Sequence, residues 1–220
     1  TGGLEWRIEK RNLSDGSLVF ATTTNPTNST DQAREVAVDD SFMYVVGQDA
    51  SSTWQWRIEK RNLSDGSLVY ATTTNPSISS NDDLYDIVID SSKMYLVGYQ
   101  ASSTPCPGDS SCWRIESRNL SDGSLVYSTT TNPTAVGADQ ATNVANDSAT
   151  SKMYIGGSKS GDWLIDVRSL SDGSFVGTQA QALTTQNTSA TLTTASQVFR
   201  LRLLIHLTLN DLVRSWETFK

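Results

Sequence analysis

Apolar and charged residues alternate along Trp56-Arg57-Ile58-Glu59-Lys60-Arg61. Period two is strand behaviour, with Trp56 and Ile58 on one face and Arg57, Glu59 and Arg61 on the other. Leu63-Ser64-Asp65-Gly66-Ser67 follows. Asp-Gly between two strand-like runs predicts a hairpin, because glycine takes the positive φ that the turn needs. The next strand is Leu68 to Thr72, ended near Asn75-Pro76 because proline cannot continue a ladder. A polar loop, Ser77 to Asp83, leads to Tyr85-Asp86-Ile87-Val88-Ile89, a turn over Asp90 to Lys93, and Met94-Tyr95-Leu96-Val97-Gly98. These read as two further strands, and no helical period appears.

The pattern recurs. WRIEKRNLSDGSLVFATTTNP runs from Trp6 to Pro26 and returns from Trp56 to Pro76 with one difference in 21 positions. A third copy runs from Trp113 to Pro133, and a worn fourth starts at Trp163. The lead tryptophans are 50, 57 and 50 residues apart, a period that means a repeat architecture. Four short antiparallel strands per period make the blade of a β-propeller; a β-solenoid, the main rival, carries fewer strands per period. The expected fold is therefore all-β, a propeller of four-stranded antiparallel blades. Trp6, Trp56, Trp113 and Trp163 are expected at equivalent buried sites between blades.

Thr1-Gly2-Gly3 matches the end of a fourth strand at Gly156-Gly157, so the chain opens with half a blade. The repeats occupy residues 1–195. Residues 196–220 depart from them: Phe199 to Leu209 alternates, Asn210-Asp211 is a turn signal, and Leu212 to Phe219 fits a second strand. A helix over Leu203 to Phe219 is the alternative. Read as strands, this tail completes the opening half-blade and gives four blades, with N- and C-terminal strands sharing one sheet and leaving no open edge.

The order AVDDSFMYVVG followed by WRIEKRNLSDGSLVYAT resembles the SBBP-type propeller repeat. The matching residues are Val38-Asp39, Tyr44, Gly47, Asp15-Gly16 and Leu18-Val19, with their copies one period on, over residues 1 to 178. Kelch and quinoprotein-type repeats share parts of this pattern. The resemblance implies a secreted or surface propeller and brings no catalytic residues.

A net charge of −7 argues against a nucleic-acid surface, which needs clustered Lys and Arg. No run of 18 apolar residues exists to span a membrane, and no apolar leader is visible, as in a mature form or a fragment. Cys106 and Cys112 lie in PCPGDSSC, and no neighbouring Cys or His completes a metal set, so a disulfide is expected. Sequons at Asn12, Asn28, Asn62, Asn119, Asn146 and Asn187 are glycosylation candidates. Together with the paired cysteines they point to an extracellular or cell-surface location.

Alternate turns of a blade emerge on opposite faces. The Asp-Gly face is nearly the same in three repeats, whereas the loops Gln48 to Gln55, Tyr99 to Ser111 and Ser158 to Asp162 vary. Loops on a rigid scaffold are where binding is built. Trp54 is a candidate partner contact there. Asp39, Asp40, Asp90 and Asp147 fit ordinary turn chemistry, and the Arg57-Glu59-Arg61 ladder is expected to pair with neighbouring strands. His206, the sole histidine, has no motif partner for nucleophilic catalysis. The inner-strand positions Glu35, Asp86 and Thr142 are not uniformly acidic, as paired-carboxylate glycoside chemistry would want.

The expected function is that of a non-enzymatic surface module for binding, adhesion or assembly, without metal or cofactor. Its partners would be protein or glycan at the variable loops, with self-association into a larger assembly as a further expectation. The alternative is a glycan-active propeller hydrolase or lyase.

Overall fold

The computed structural model describes residues 3–27, 29–51, 53–77, 80–101, 110–133 and 137–181. These residues form fourteen strands and no helix, so no helix is long and apolar enough to cross a membrane. Strands β1 (Trp6–Arg11) and β2 (Leu18–Thr24) form a two-stranded sheet. Three four-stranded antiparallel sheets follow. The first comprises β3 (Gln32–Val38), β4 (Phe42–Ala50), β5 (Trp54–Asn62) and β6 (Leu68–Thr74). The second comprises β7 (Asp83–Ile89), β8 (Lys93–Ala101), β9 (Ser111–Asn119) and β10 (Leu125–Thr131). The third comprises β11 (Gln140–Asp147), β12 (Lys152–Lys159), β13 (Asp162–Ser169) and β14 (Phe175–Gln181). Each sheet is paired in sequence order, so the chain opens with half a blade and continues with three full ones. The tail, 196–220, lies outside the described residues, as does its role in closing the half-blade.

Local chemistry explains the turns. In Asn-Leu-Ser-Asp-Gly-Ser the glycine has positive φ, 71° at Gly16 and 76° at Gly66. The Asn12 amide N–H donates to the Ser17 carbonyl, its side chain donates to Ser17 Oγ, and Asp15 accepts from the Ser17 amide at 2.9 Å. The other hairpin is closed by its aspartate. Asp39 accepts from the amides of Ser41 and Phe42 and from the Tyr44 hydroxyl. Asp90 repeats this with Ser92, Lys93 and Tyr95. Asp147 closes a longer turn on Ala149 and Thr150. The turn reading of these aspartates therefore holds.

Met-Tyr-x-x-Gly is continuously apolar because both faces of a blade are buried. Met94 and Leu96 pack with Trp56 and Ile58 of the first full blade, while Tyr95 and Val97 pack with Trp113, Met153 and Ile155 toward the third. The closing glycine has a steric cause. A Cβ on Gly98 would lie 2.0 Å from the Asp83 carbonyl oxygen and 2.8 Å from the Trp56 ring edge. Opposite these glycines each innermost strand shifts register, leaving Arg34, Tyr85 and Thr142 as the extra residue of a β-bulge.

Trp6, Trp56 and Trp113 are at most 1% exposed, between blades as expected. Trp163 departs from that expectation at 47% exposed. Its counterparts pack on the second strand of the next blade, and the described residues include no next blade.

Candidate functional site

The Arg-Glu-Arg ladder is structural. Glu59 is fully buried and accepts from Arg57 and from Arg61 at 2.7 Å on its own strand, while the ladder also pairs with neighbouring strands as expected, Arg57 with Asp49 of β4 at 3.6 Å and Glu59 with the Thr24 hydroxyl of β2 at 3.3 Å. Arg61 also donates to the Gly66 carbonyl and, across the blade boundary, to Thr24 Oγ1. Arg118 repeats the clasp on Thr74, and Arg168 does so on Thr131 at 2.7 Å. These charges are spent on joining blades.

The varied end of the blades is anchored by a residue that the sequence reading missed. Asp31, Asp82 and Asp139 are buried ahead of the innermost strands. Asp31 accepts from the amides of Thr27 and Ala50, and Asp82 from those of Ser77 and Ala101. Asp139 accepts from the Ser160 amide. Their own amides donate to Leu4, Trp54 and Ser111 of the preceding blade. Burial pushes Asp82 up, against the pull of the two amides it holds. The signal was an aspartate five or six residues after each Asn-Pro, visible once the repeats are aligned.

Inside this ring of aspartates the repeats diverge. Arg34, Tyr85 and Thr142 share one bulge position, and Gln48, Tyr99 and Ser158 share one position on the second strands. Arg34 forms an ion pair with Asp83 at 2.9 Å, and its guanidinium lies 5.7 Å from the Tyr85 ring centroid. Tyr85 meets Tyr99 at 5.9 Å between centroids and donates to Gln140 at 3.5 Å. Side chains from three blades thus form one polar and aromatic rim. Burial pushes Asp83 up to about 6 despite Arg34, and burial likewise pushes Asp86 up to about 6. Asp86 accepts from the Val144 amide of the next blade at 2.8 Å. The register corrects one sequence alignment: Asn143, not Thr142, stands where Glu35 and Asp86 do, because Thr142 is the bulged residue.

Beside the rim, where the three full blades approach one another, is a cleft of about 480 Å³. Thr53, Asn81, Tyr99, Ser110, Ser111 and Gln140 line it, and among the described residues no charged side chain does. Ala101 and Ser110, the described residues flanking the Cys-containing insertion, both face it.

The remaining candidates are placed as follows. Trp54 is half-buried and begins β5 instead of sitting in a loop, because β4 and β5 extend the hairpin to Ala50 and Trp54. Cys112 is buried at the start of β9; Cys106 lies outside the described residues, as do Asn28, Asn187 and His206. Asn62 and Asn119 hold their hairpins as Asn12 does, through Ser67 and Ser124. Asn146 instead donates inward to the Ile89 carbonyl of the adjacent inner strand.

No family model and no curated protein matches the chain. Among solved structures it is similar to the quinohemoprotein alcohol dehydrogenase from Comamonas testosteroni. The TM-score is 0.58 at 12% identity, over 82% of this chain and 33% of that one. It also matches BamB from Moraxella catarrhalis, at TM-score 0.43 and 14% identity, over 74% of this chain and 40% of that one. The chain thus spans well under half the length of either protein. The likeness to the dehydrogenase concerns fold alone, and with the sheet order and repeated joints it makes this chain an all-β propeller repeat protein.

Proposed function

We propose that the chain is a non-enzymatic, extracellular binding module that engages a glycan or protein through the varied end of its blades. One observation carries this reading. Repeats that otherwise differ little place Arg, Tyr and Thr at one bulge position and Gln, Tyr and Ser at the position beside it. The opposite end repeats Asn-Leu-Ser-Asp-Gly at Asn12, Asn62 and Asn119 with the same internal hydrogen bonds. Divergence at one rim of a largely repeated scaffold is what a binding surface looks like. The sequons, the cysteine pair and the resemblance to SBBP-type repeats support a surface location.

A second reading, a glycan-active enzyme, is favoured by Asp83 and Asp86, two inner-strand carboxylates pushed up toward neutrality. The test is binding to arrays of surface glycans and extracellular proteins, with Arg34→Ala/Tyr85→Ala as the rim variant. The reading expects a ligand whose binding the variant loses while its melting temperature stays close to that of the wild type. Binding that the variant retains in full, or no ligand at all, overturns it. Cleaved glycan, read by mass and lost in Asp83→Asn, selects the enzyme.

A further inference from the structure

We infer that the free edge of β1 and the groove beside it form an acceptor site for a partner's β-hairpin, acidic and apolar on both faces of its second strand, as the inner hairpins of this repeat are. The inference does not rest on the reading of the rim.

The full blades show what belongs at this place. In each of them the Trp strand is paired on both edges: β5 lies between β4 and β6, β9 between β8 and β10, and β13 between β12 and β14. β1 pairs with β2 alone, so among the described residues its other edge carries no strand. A row of open N–H and C=O groups is a template for one. Beside this edge lies a groove of about 440 Å³ whose apolar lining is Ile8, Ala33, Val36, Val38, Met43 and Val45.

The burial of equivalent residues reveals what is missing. Val36 and Ile87 occupy one register position, yet Val36 is 49% exposed and Ile87 only 6%. Ala33 is exposed, whereas Ala141, the same residue at the same position, is fully buried. Ile87, Met94 and Leu96 share one core with Tyr44 and Val46 from the second strand of the preceding blade. Val36, Met43 and Val45 are their counterparts, and the described residues bring no such pair to them.

The same template names the occupant. In β4 every residue from Met43 to Ala50 is buried, so the strand at this place must be apolar on both faces. A hairpin like residues 31–50 would set its tyrosine opposite Lys10 and its second valine opposite Ile8, as Tyr44 and Val46 stand opposite Lys60 and Ile58. Lys60 Nζ lies 5.5 Å from the Tyr44 ring centroid, a contact that Lys10 would gain. Charge agrees: Arg7, Lys10, Arg11 and Arg34 line the groove against Glu9 and Glu35, and residues 31–50 hold five acids and one arginine. The chain's own tail suits the place less well. Residues 212–219 alternate polar and apolar on both faces, with Arg214 on one and Glu217 on the other, and burying either charge unpaired is costly. Filled by a repeat-type hairpin, the half-blade becomes a fourth four-stranded sheet.

The test is an anisotropy titration of the full chain into a labelled synthetic peptide of residues 31–50. The peptide should bind one to one. Tyr44→Ser/Val46→Ser in the peptide should weaken binding about tenfold or more, the loss expected for two buried apolar side chains. Met43→Ser/Val45→Ser, on the other strand face, should stay within about threefold. Val36→Asp in the chain should weaken binding about tenfold or more, with a melting temperature close to that of the wild type because Val36 is half exposed without the peptide. Amides at the open edge of β1 should exchange fast in the free chain and slowly in the complex. No binding, equal affinity of the two altered peptides, or wild-type affinity in Val36→Asp overturns the inference. Slow exchange at this edge in the peptide-free monomer assigns the groove to the chain's own tail, and slow exchange that appears only as the chain dimerises assigns it to a second copy. Either result overturns the inference as well.

Discussion

The indole nitrogen of Trp113 donates to the carbonyl oxygen of Ser158 at 2.8 Å, across the joint between the second and third full blades. Trp6 makes the same bond to Gln48, one joint upstream of the first full blade, at 3.2 Å. Trp56 and Trp113 lie against the next blade's glycine, Gly98 and Gly157, and Trp56 fills its joint without an indole hydrogen bond among the described residues. Truncating such a residue to alanine costs about 3–5 kcal/mol. Trp113→Ala is expected to lower the melting temperature by on the order of 10 °C. Trp54→Ala and Trp163→Ala, at less buried sites, should cost far less. Calorimetric melting of the three variants checks this, and equal losses would contradict equivalent joints.

The ladder glutamates test the same point with charge. Glu9, Glu59 and Glu116 sit in nearly the same sequence, yet the Glu9 side chain is 25% exposed and the other two are fully buried. Glu116→Ala leaves Arg114 and Arg118 without their carboxylate, and breaking a buried pair costs about 3–5 kcal/mol. Glu9→Ala removes a pair that solvent screens, and should cost far less. Urea unfolding of the two variants should separate them clearly; similar midpoints would refute the burial difference.

Much of this was legible in the sequence, for a physical reason. Strand alternation, Asp-Gly turns and tryptophan spacing are local or periodic signals, and they placed the half-blade and three blades. What the sequence hid was non-local. The bulge at Thr142 moved Asn143 into the place of Asp86, because an extra residue cannot be seen without the partner strand. The ladder pairs with neighbouring strands as expected, at Asp49 and Thr24, but the sequence did not show that Glu59 also holds both arginines of its own strand face. Asp31, Asp82 and Asp139 escaped notice because their partners lie 19 to 21 residues onward, at Ala50, Ala101 and Ser160. Trp163 reads like its counterparts because exposure depends on a blade that the repeat itself does not encode.

The acid response follows from two opposed groups of carboxylates. Burial raises Asp83 and Asp86 to about 6, so between about pH 4 and 6 the folded chain holds more protons than the unfolded one. Their contribution is fully present below pH 4 and is lost as pH rises through 6. At Asp39 and Asp90 burial opposes ionisation, but the turn amides and the tyrosine hydroxyls outweigh it and hold the carboxylates below the usual range. Their contribution is present above about pH 4 and lost on further acidification. Stability should therefore peak near pH 4, decline as pH rises from about 4 through about 6, and level off above that. In Asp86→Asn the difference in urea midpoint between pH 5 and pH 8 should narrow; an unchanged difference would refute the assignment.

Cys106 and Cys112 should be bonded to each other. They are the only cysteines of the chain and close a short loop in the one repeat with seven extra residues. A loop this short is worth roughly 2 to 2.5 kcal/mol on the chain-entropy account. Alkylation of unreduced, denatured protein should label neither cysteine. Two reactive thiols would show that the insertion beside the cleft is held some other way.

The central claim is that one joint is built repeatedly along the chain and that Trp163 marks where it stops. Tryptophan oxidation of dilute native protein, read residue by residue by mass spectrometry, tests it most directly. Trp6, Trp56 and Trp113, at most 1% exposed, should resist the reagent until the protein unfolds, while Trp163, at 47%, should react at once. Oxidation of Trp56 or Trp113 at the rate of Trp163, or full protection of Trp163, would contradict the account.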